Sequence, residues 1–272
     1  MSSTTTSPEF PQGYGDFKLI SSDNVTFHFS KFLLSYQSSV FEGMFSAGAS
    51  SAHQSDELQL TEDSATLECL LRYLDPKKTP IPPSIDNAEP LLEACGKYDL
   101  PTVAQRWEEH LMTKWRGIPA SDEAVSRPVE CLAIASWSNL DQLARFCLRE
   151  VIKAPMALLT TSNIVLESRL LVHLLKLRVE RVGWFENKFA AFFASNVGES
   201  CNSIYSHNAM ERAAFEVIRT LHQEPSLRAL SRYTNAWNSP CGHFQGSATL
   251  FNSWRGEIEA LEAALPELPS RQ

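Results

Sequence analysis

The sequence predicts an α+β domain followed by an all-α region. Alternation of apolar and polar residues, which is typical of strands, ends at Leu60, and apolar residues at helical spacing fill most of the remaining chain. Between the two patterns, RGIPASDEAVSRP at 116–128 contains the glycine and prolines of a domain boundary. We therefore expect a disordered lead at 1–14, the α+β domain at 15–116, a linker at 117–128 and a helical region at 129–272.

The α+β domain begins with a predicted hairpin, DFKLISSDNVTFHF. Its second arm places Val25, Phe27 and Phe29 on one face, and SSDN supplies the turn between the arms. Two short helices follow, with a break near 37–39, and DELQL predicts a further short strand. His28 falls opposite the apolar residues of its strand, so we expect it to face solvent and to have no catalytic role.

Three predicted helices complete this domain. Asp63 is placed to cap the first of them. Its apolar residues are Leu67, Leu70, Leu71 and Leu74. The proline-rich DPKKTPIPP ends that helix, because proline cannot donate a helical hydrogen bond. Pro101 opens the last helix, which carries Trp107 and Trp115 on its apolar side.

From residue 129 onward the patterns predict helices and no strand. Asn139 is expected to begin the second of them, with Gln142 at the capping-box offset. Residues 168–196 hold one long helix or two consecutive ones, and two further helices follow. Within 168–196, the basic LRVERV favours a solvated helix face. The aromatic residues that follow it are typical of a core, with a groove for a partner peptide as the alternative.

Composition excludes several classes of function. The net charge of −8 and the pI of about 5.4 argue against a nucleic-acid-binding surface. No apolar run is long enough to span a membrane, and the first residues lack a secretory signal pattern. The six cysteines are therefore not expected to form a disulfide framework. We expect an intracellular protein, cytoplasmic or nuclear, without direct nucleic-acid or membrane contacts.

Motifs for catalysis are not found. The sequence has no Gly-x-Ser-x-Gly elbow, no glycine-rich phosphate loop and no His-Glu-x-x-His motif, so we expect neither an enzyme nor a bound cofactor. One set of residues resembles a metal site, namely Cys201, His207, Cys241 and His243. Their spacing is not a standard one for zinc. A zinc site and scattered structural residues both remain open for this set.

The ordered series of elements resembles the BTB/POZ domain. The stretches that carry the resemblance are GDFKLISSDNVTFHFSKFLLSYQSSVFEGMF, DELQLTED, TLECLLRYLDP and LLEACGKYDLPTVAQRWEEHL. Asp16 matches the acidic residue of the family's first strand, Lys31 its basic position and Leu34 its helical leucine. A Ser-x-x-Phe-x-x-Met-Phe element is also present, in Ser38, Phe41, Met44 and Phe45. The family's usual histidine falls on Ser30 instead.

The chain most resembles the BTB proteins common in fungi, with YLDP in place of the Leu-Tyr-Pro variant found there. VECLAIASWSNLDQLARFCLREVI is similar to the helix pair that follows the domain in that group, and to BACK-type helices in placement. The fold class implied is an α+β BTB/POZ-like domain followed by an all-α, BACK-like region.

The resemblance implies a protein–protein interaction module that forms a homodimer through its N-terminal helix and first strand and recruits a partner. Asp16 and Lys31 match a charged pocket near the dimer interface; alternatively, they satisfy one another and fix the hairpin against the helix. The implied function is a substrate adaptor of a cullin-type ubiquitin ligase, with a cullin as partner. The alternatives are a dimerising scaffold or transcription-associated adaptor, and an enzyme built on the helical half.

Overall fold

The computed structural model describes residues 5–48, 56–116, 127–161, 165–196, 204–231, 247–264 and 266–269. Contacts divide the chain into two units. The first comprises 1–123 with 134–140, and the second comprises 124–133 with 141–272. The predicted segment boundaries near 116 and 128 stay predictions, since most of the linker lies outside the described residues.

Four strands form one sheet in the first unit: β1 Thr5–Thr6, β2 Phe17–Ile20, β3 Val25–Phe29 and β4 Glu57–Gln59, in the order β1-β3-β2-β4. The predicted hairpin is confirmed, with β2 and β3 antiparallel and Phe17 opposite Phe29. Asn24 takes a positive φ of 63° at its turn, a conformation that asparagine tolerates. β1 pairs in parallel with β3, and β4 in parallel with β2.

Helices of the first unit come after β3, two before β4 and three after it: α1 Lys31–Gln37, α2 Ser39–Gly48, α3 Ser64–Leu74, α4 Ala88–Lys97 and α5 Pro101–Arg116, with a 3-10 turn at Ile85–Asn87. The predicted cap of α3 is confirmed, since the Asp63 carboxylate accepts the Thr66 N–H at 2.8 Å. The core lies between the sheet and the helices, and Phe27, Phe41 and Trp107 are fully buried there. The prediction of an α+β domain is therefore confirmed.

The structure differs from the predicted disordered lead at 1–14 over the part that it describes, residues 5–14. β1 belongs to this segment, and Phe10 has no exposed surface. The Phe10 ring packs edge-on against Tyr14 and Phe29, with centroids 5.3 and 5.7 Å away. The polar composition of the segment favoured disorder in the sequence analysis. Burial of the Phe10 ring removes apolar area from water and so helps to hold the segment in place.

The remaining described elements are helices: α6 Pro128–Trp137, α7 Asp141–Lys153, α8 Met156–Thr161, α9 Ser168–Asn196, α10 Ile204–Gln223, α11 Leu227–Ser231 and α12 Ser247–Ala263. The all-α prediction is confirmed, and 168–196 is one helix. Phe185 and Phe189 are buried, as the core interpretation of the aromatic residues predicts. No helix within the described residues combines the length and apolarity needed to cross a membrane.

The prediction that Asn139 begins a helix is wrong. Asn139 lies at the C-terminal end of α6 instead. Its φ of 59° is left-handed, and the Leu140 N–H donates back to the Ala135 carbonyl at 2.9 Å. This hydrogen bond is the closing contact of a helix C-terminus, where asparagine is the commonest substitute for glycine. The helical spacing on both sides was correct, and only the assignment of the asparagine to one helix end was wrong.

The prediction that the basic residues of LRVERV form a solvated helix face is wrong. Arg178 and Arg181 are both buried. The Arg178 guanidinium donates to the carbonyls of Val151, Ile152 and Ala154, at 3.2, 2.9 and 2.7 Å, and to that of Gln223 at 2.9 Å. The Arg181 Nε donates to the Pro225 carbonyl at 2.5 Å. These arginines on α9 therefore supply the donors that the C-terminal ends of α7 and α10 need.

Four cysteines in the described residues are free and buried, two in each unit: Cys69, Cys95, Cys131 and Cys147. Burial raises the pKa of Cys69 to about 11 and that of Cys95 to about 12. It also raises the pKa of Cys147, with a further contribution from the neighbouring Cys131. All four thiols are core residues, and those of Cys69, Cys95 and Cys147 stay protonated at neutral pH.

Candidate protein-interaction surface

An aromatic face on α1 is the most exposed apolar feature of the first unit's helices. Phe32 is 68% exposed and Tyr36 is 77% exposed. Their rings, one helical turn apart, stack with centroids 5.8 Å apart and an interplanar angle of 18°. Phe32 and Tyr36 are called the α1 aromatic face below. Exposed stacked aromatics on a folded domain are typical of surfaces that bind another protein.

The start of α1 is fixed by two side-chain acceptors. Ser30 is the N-cap, and its Oγ accepts the Leu33 N–H at 3.4 Å. The Asp16 Oδ1 accepts the Lys31 N–H at 2.8 Å. Leu34 is fully buried beneath the helix. Ser30, where a histidine is usual in the family, therefore acts here as a helix cap.

Asp16 and Lys31 are brought together through the backbone of Lys31. The Asp16 carboxylate is exposed and bonded to the Lys31 N–H. The Lys31 Nζ lies over the rings of Phe17 and Phe45, 5.7 and 4.9 Å from their centroids. This geometry fixes the start of β2 against α1, and the role of the pair in a dimer pocket stays a prediction.

Gly15 allows the hairpin to approach the strand-to-helix corner closely. A Cβ at this position would lie 2.2 Å from the Phe29 carbonyl carbon and 2.4 Å from its oxygen. Both are backbone atoms, so they cannot move aside without displacing β3. The absence of a side chain at Gly15 therefore positions Asp16 for its bond to α1.

Ser38 joins α2 to the end of α4. Its buried Oγ accepts the Phe41 N–H at 3.0 Å and donates to the Tyr98 carbonyl at 2.5 Å. The Phe41 and Tyr98 rings stack at 4.8 Å. The serine and the phenylalanine of the Ser-x-x-Phe element thus have a structural explanation. Sequence analysis missed Tyr98 as their partner, because nothing local in the sequence links residues 60 positions apart.

Glu62 is a second residue that the sequence did not single out. Lys97 donates to its carboxylate at 2.8 Å, and the Tyr98 hydroxyl donates to its other oxygen. Burial alone would raise the pKa of Glu62, but these hydrogen bonds outweigh it and hold the pKa below its usual value. Glu62 therefore ties the loop after β4 to the end of α4.

β1 lies at one edge of the sheet, whereas β2, the first strand in the sequence prediction, lies between β3 and β4. β1, which the sequence analysis missed, and β4 are the two edge strands of the described sheet, and free strand edges are sites of pairing with other chains. The role of a first strand in self-association stays a prediction.

Residues 5–14 include β1 and are called the N-terminal clasp below. Side chains of α3 and of the loop after it hold the clasp in place. Lys78 Nζ donates to the Glu9 carboxylate at 3.1 Å, and Arg72 lies 3.1 Å from the same oxygen. The hydrogen bond from Lys78, followed by the charges of Arg72 and Lys78, lowers the pKa of Glu9. The Tyr14 hydroxyl donates to the Asp75 carboxylate at 2.5 Å, and burial together with this bond raises the pKa of Tyr14 to about 12.

The remaining candidates from the sequence are His28 and the four residues that resemble a metal site. His28 is partly buried, and its backbone N–H donates to the Phe10 carbonyl at 3.0 Å. Cys201, Cys241 and His243 lie outside the described residues, and only the helical backbone is described at His207. Over the part of the chain that the structure describes, no group of His, Cys, Asp and Glu could hold a metal ion.

The geometry agrees with a comparison to known families. A family model described as BTB/POZ domain matches residues 10–114. The match begins at Phe10, within the N-terminal clasp, and extends into α5. Residues 10–114 are therefore a BTB/POZ domain, a class of protein–protein interaction modules that self-associate and bind other proteins and are not enzymes. No curated protein matches the sequence.

Proposed function

We propose that this protein is a self-associating adaptor. It dimerises through the α1 aromatic face and the β1 edge and recruits a cullin, so that it acts as a substrate adaptor of a cullin-type ubiquitin ligase. The observation that carries the proposal is the exposure of two stacked aromatic side chains on the BTB/POZ domain. Burying both rings in a homodimer would remove a large apolar area from water.

Sedimentation equilibrium of the full chain tests the dimer. We expect a dimer for the unmodified protein and a monomer for the Phe32→Ser/Tyr36→Ser double variant. Phe215→Ser is the matched control, because Phe215 is an exposed aromatic residue of α10, 74% accessible, outside the BTB/POZ domain. A strict monomer at high concentration for the unmodified protein would contradict the proposal, as would an unchanged dimer in the double variant.

A cullin N-terminal domain immobilised on a sensor tests the ligase role. Binding of the full chain at micromolar concentration is the expected result. A dimer that fails to bind under these conditions favours the second candidate, a dimerising scaffold or transcription-associated adaptor. With a net charge of −8, such an adaptor would reach DNA only through its partners. The enzyme alternative has no observation in its favour.

Three finer predictions belong to this proposal. The likeness to fungal BTB proteins and to BACK-type helices stays a prediction for residues beyond the matched domain. An intracellular location, cytoplasmic or nuclear, is supported by the free buried thiols, because disulfide frameworks are typical of secreted domains. Affinity purification with mass spectrometry would identify the partner and its compartment.

A further inference from the structure

A cavity of about 610 Å³ lies within the first unit, away from the α1 aromatic face. Its walls are the C-terminal end of α4, the first turns of α5 and residues 137–140. The residues used below are Glu93, Gly96, Lys97, Asp99, Trp137 and Ser138. The cavity is open to solvent and large enough to accept several side chains of a peptide.

Two features of residues 137–138 have no explanation within the domain. Trp137 lines the cavity and keeps 46% of its surface exposed, although tryptophan gains more than most residues from burial. The Ser138 Oγ is buried and has no hydrogen-bond partner within the described part of the chain. Of the two features, the exposed indole lies on the accessible wall of the cavity, and exposed aromatic side chains are typical of sites that a partner covers.

The charges around the cavity are predominantly negative. Glu93 and Asp99 both line the cavity and both are exposed, and the Asp99 carboxylate accepts a hydrogen bond from the Ser39 Oγ at 2.5 Å. Lys97 is the cation of the lining, but its Nζ is 2.8 Å from Glu62, which offsets its charge. A ligand therefore meets an indole and two carboxylates, in a chain whose net charge is −8.

We propose that this cavity binds an arginine-bearing segment of a partner protein. A guanidinium is planar and stacks on an indole, and its N–H groups match the geometry of carboxylates. A lysine offers one point charge without a planar face, so arginine is the better match. The site is separate from the α1 aromatic face and does not depend on dimerisation.

The test uses the full chain labelled with ¹⁵N-tryptophan and the peptide acetyl-Leu-Arg-Leu-amide. The indole N–H signal of Trp137 is identified by its loss in Trp137→Phe. We expect that signal to shift saturably with the peptide. The isosteric citrulline peptide lacks the charge and should bind at least about tenfold more weakly, which corresponds to ~1.4 kcal/mol. Equal affinity for the two peptides, or no shift with either, would overturn the proposal.

Variants of α4 localise the site. Gly96→Leu should abolish the shift by filling the cavity, because a Cβ on Gly96 meets no atom within 4 Å and leucine favours a helix. Glu93→Gln should weaken binding of the arginine peptide about tenfold. Glu89→Gln is the matched control, since Glu89 is an exposed residue of α4 outside the lining. Equal effects of the two glutamine variants, or undiminished binding in folded Gly96→Leu, would refute the site.

Discussion

The two units differ in how much a single side chain contributes to the helix ends. In the first unit, Ser30, Ser38 and Asp63 each accept one backbone N–H three residues further along the chain. Gln37 and Arg106 each donate to one carbonyl at the end of α3. In the second unit, Arg178 donates to carbonyls 24 to 45 residues away. Local caps can be recognised from short sequence patterns, whereas a cap that comes from another helix cannot.

The difference also changes what each residue contributes. A serine cap replaces one hydrogen bond to water, so its net contribution is small. A buried guanidinium has lost its hydration, and burial together with nearby Arg181 lowers the pKa of Arg178. Its four carbonyl partners compensate for that loss. We therefore expect the helix ends of the second unit to depend strongly on one residue, and those of the first unit to depend on several smaller contributions.

Replacement of Arg178 should give the largest effect. Arg178→Met removes the donors from the ends of α7 and α10 and leaves their carbonyls buried, so we expect a loss of ~3–5 kcal/mol. Hydrogen exchange of peptides from α7 and α10, measured by mass spectrometry, would report it. Lys176→Met removes an exposed cation of the same helix and should change exchange little. Equal exchange in the two variants would refute the role of Arg178.

Phe10→Ala tests whether the N-terminal clasp is part of the core. Loss of a fully buried ring should destabilise the BTB/POZ domain by ~3–4 kcal/mol. The measurement is hydrogen exchange in peptides covering β1 and β3. Gln12→Ala, at an exposed position of the clasp, is the control. A disordered lead, as the sequence predicts, would instead leave exchange unchanged in both variants.

A pair of glycine substitutions compares two backbone sites within the first unit. Gly15→Ala would force a Cβ against the Phe29 backbone, and we expect a loss of at least ~2 kcal/mol. Gly43→Ala on α2 meets open space and should stabilise its helix by ~0.5–1 kcal/mol. The midpoints of urea denaturation should therefore move in opposite directions. A shift in the same direction would show that the corner at Gly15 can relax.

Ser38→Ala should give the smallest destabilisation among these variants. It removes the cap on Phe41 and the bond to the Tyr98 carbonyl, so we expect a loss of ~1–2 kcal/mol in urea denaturation. Ser35→Ala is the control, because the Ser35 Oγ bonds only to carbonyls of its own helix in the described contacts. A loss as large as that from Arg178→Met would remove the proposed difference between the units.

Much of the fold was predictable because its signals are local. The hairpin, the break at Ser38 and the Asp63 cap follow from residues within a few positions of one another. Burial of single residues was not predictable. Phe10 lies in a polar stretch, and Arg178 is buried although arginine is mostly an exposed residue type. In both cases the deciding partner is distant in sequence.

The candidate surface was predictable only in part. The α1 helix was predicted, but the exposure of Phe32 and Tyr36 was not, since helical spacing alone does not show which aromatic residues find partners. The parallel pairing of β1 is a second example. Two threonines carry no alternating apolar pattern, so nothing in the sequence marks this strand.

The buried thiols of each unit can report how often that unit opens. Only the thiolate reacts with an alkylating agent, and Cys69 and Cys147 become accessible to it only when the structure around them opens. Labelling rates at these two positions, with the other cysteines changed to serine, would time the opening of the BTB/POZ domain and of the helical unit separately in one intact chain.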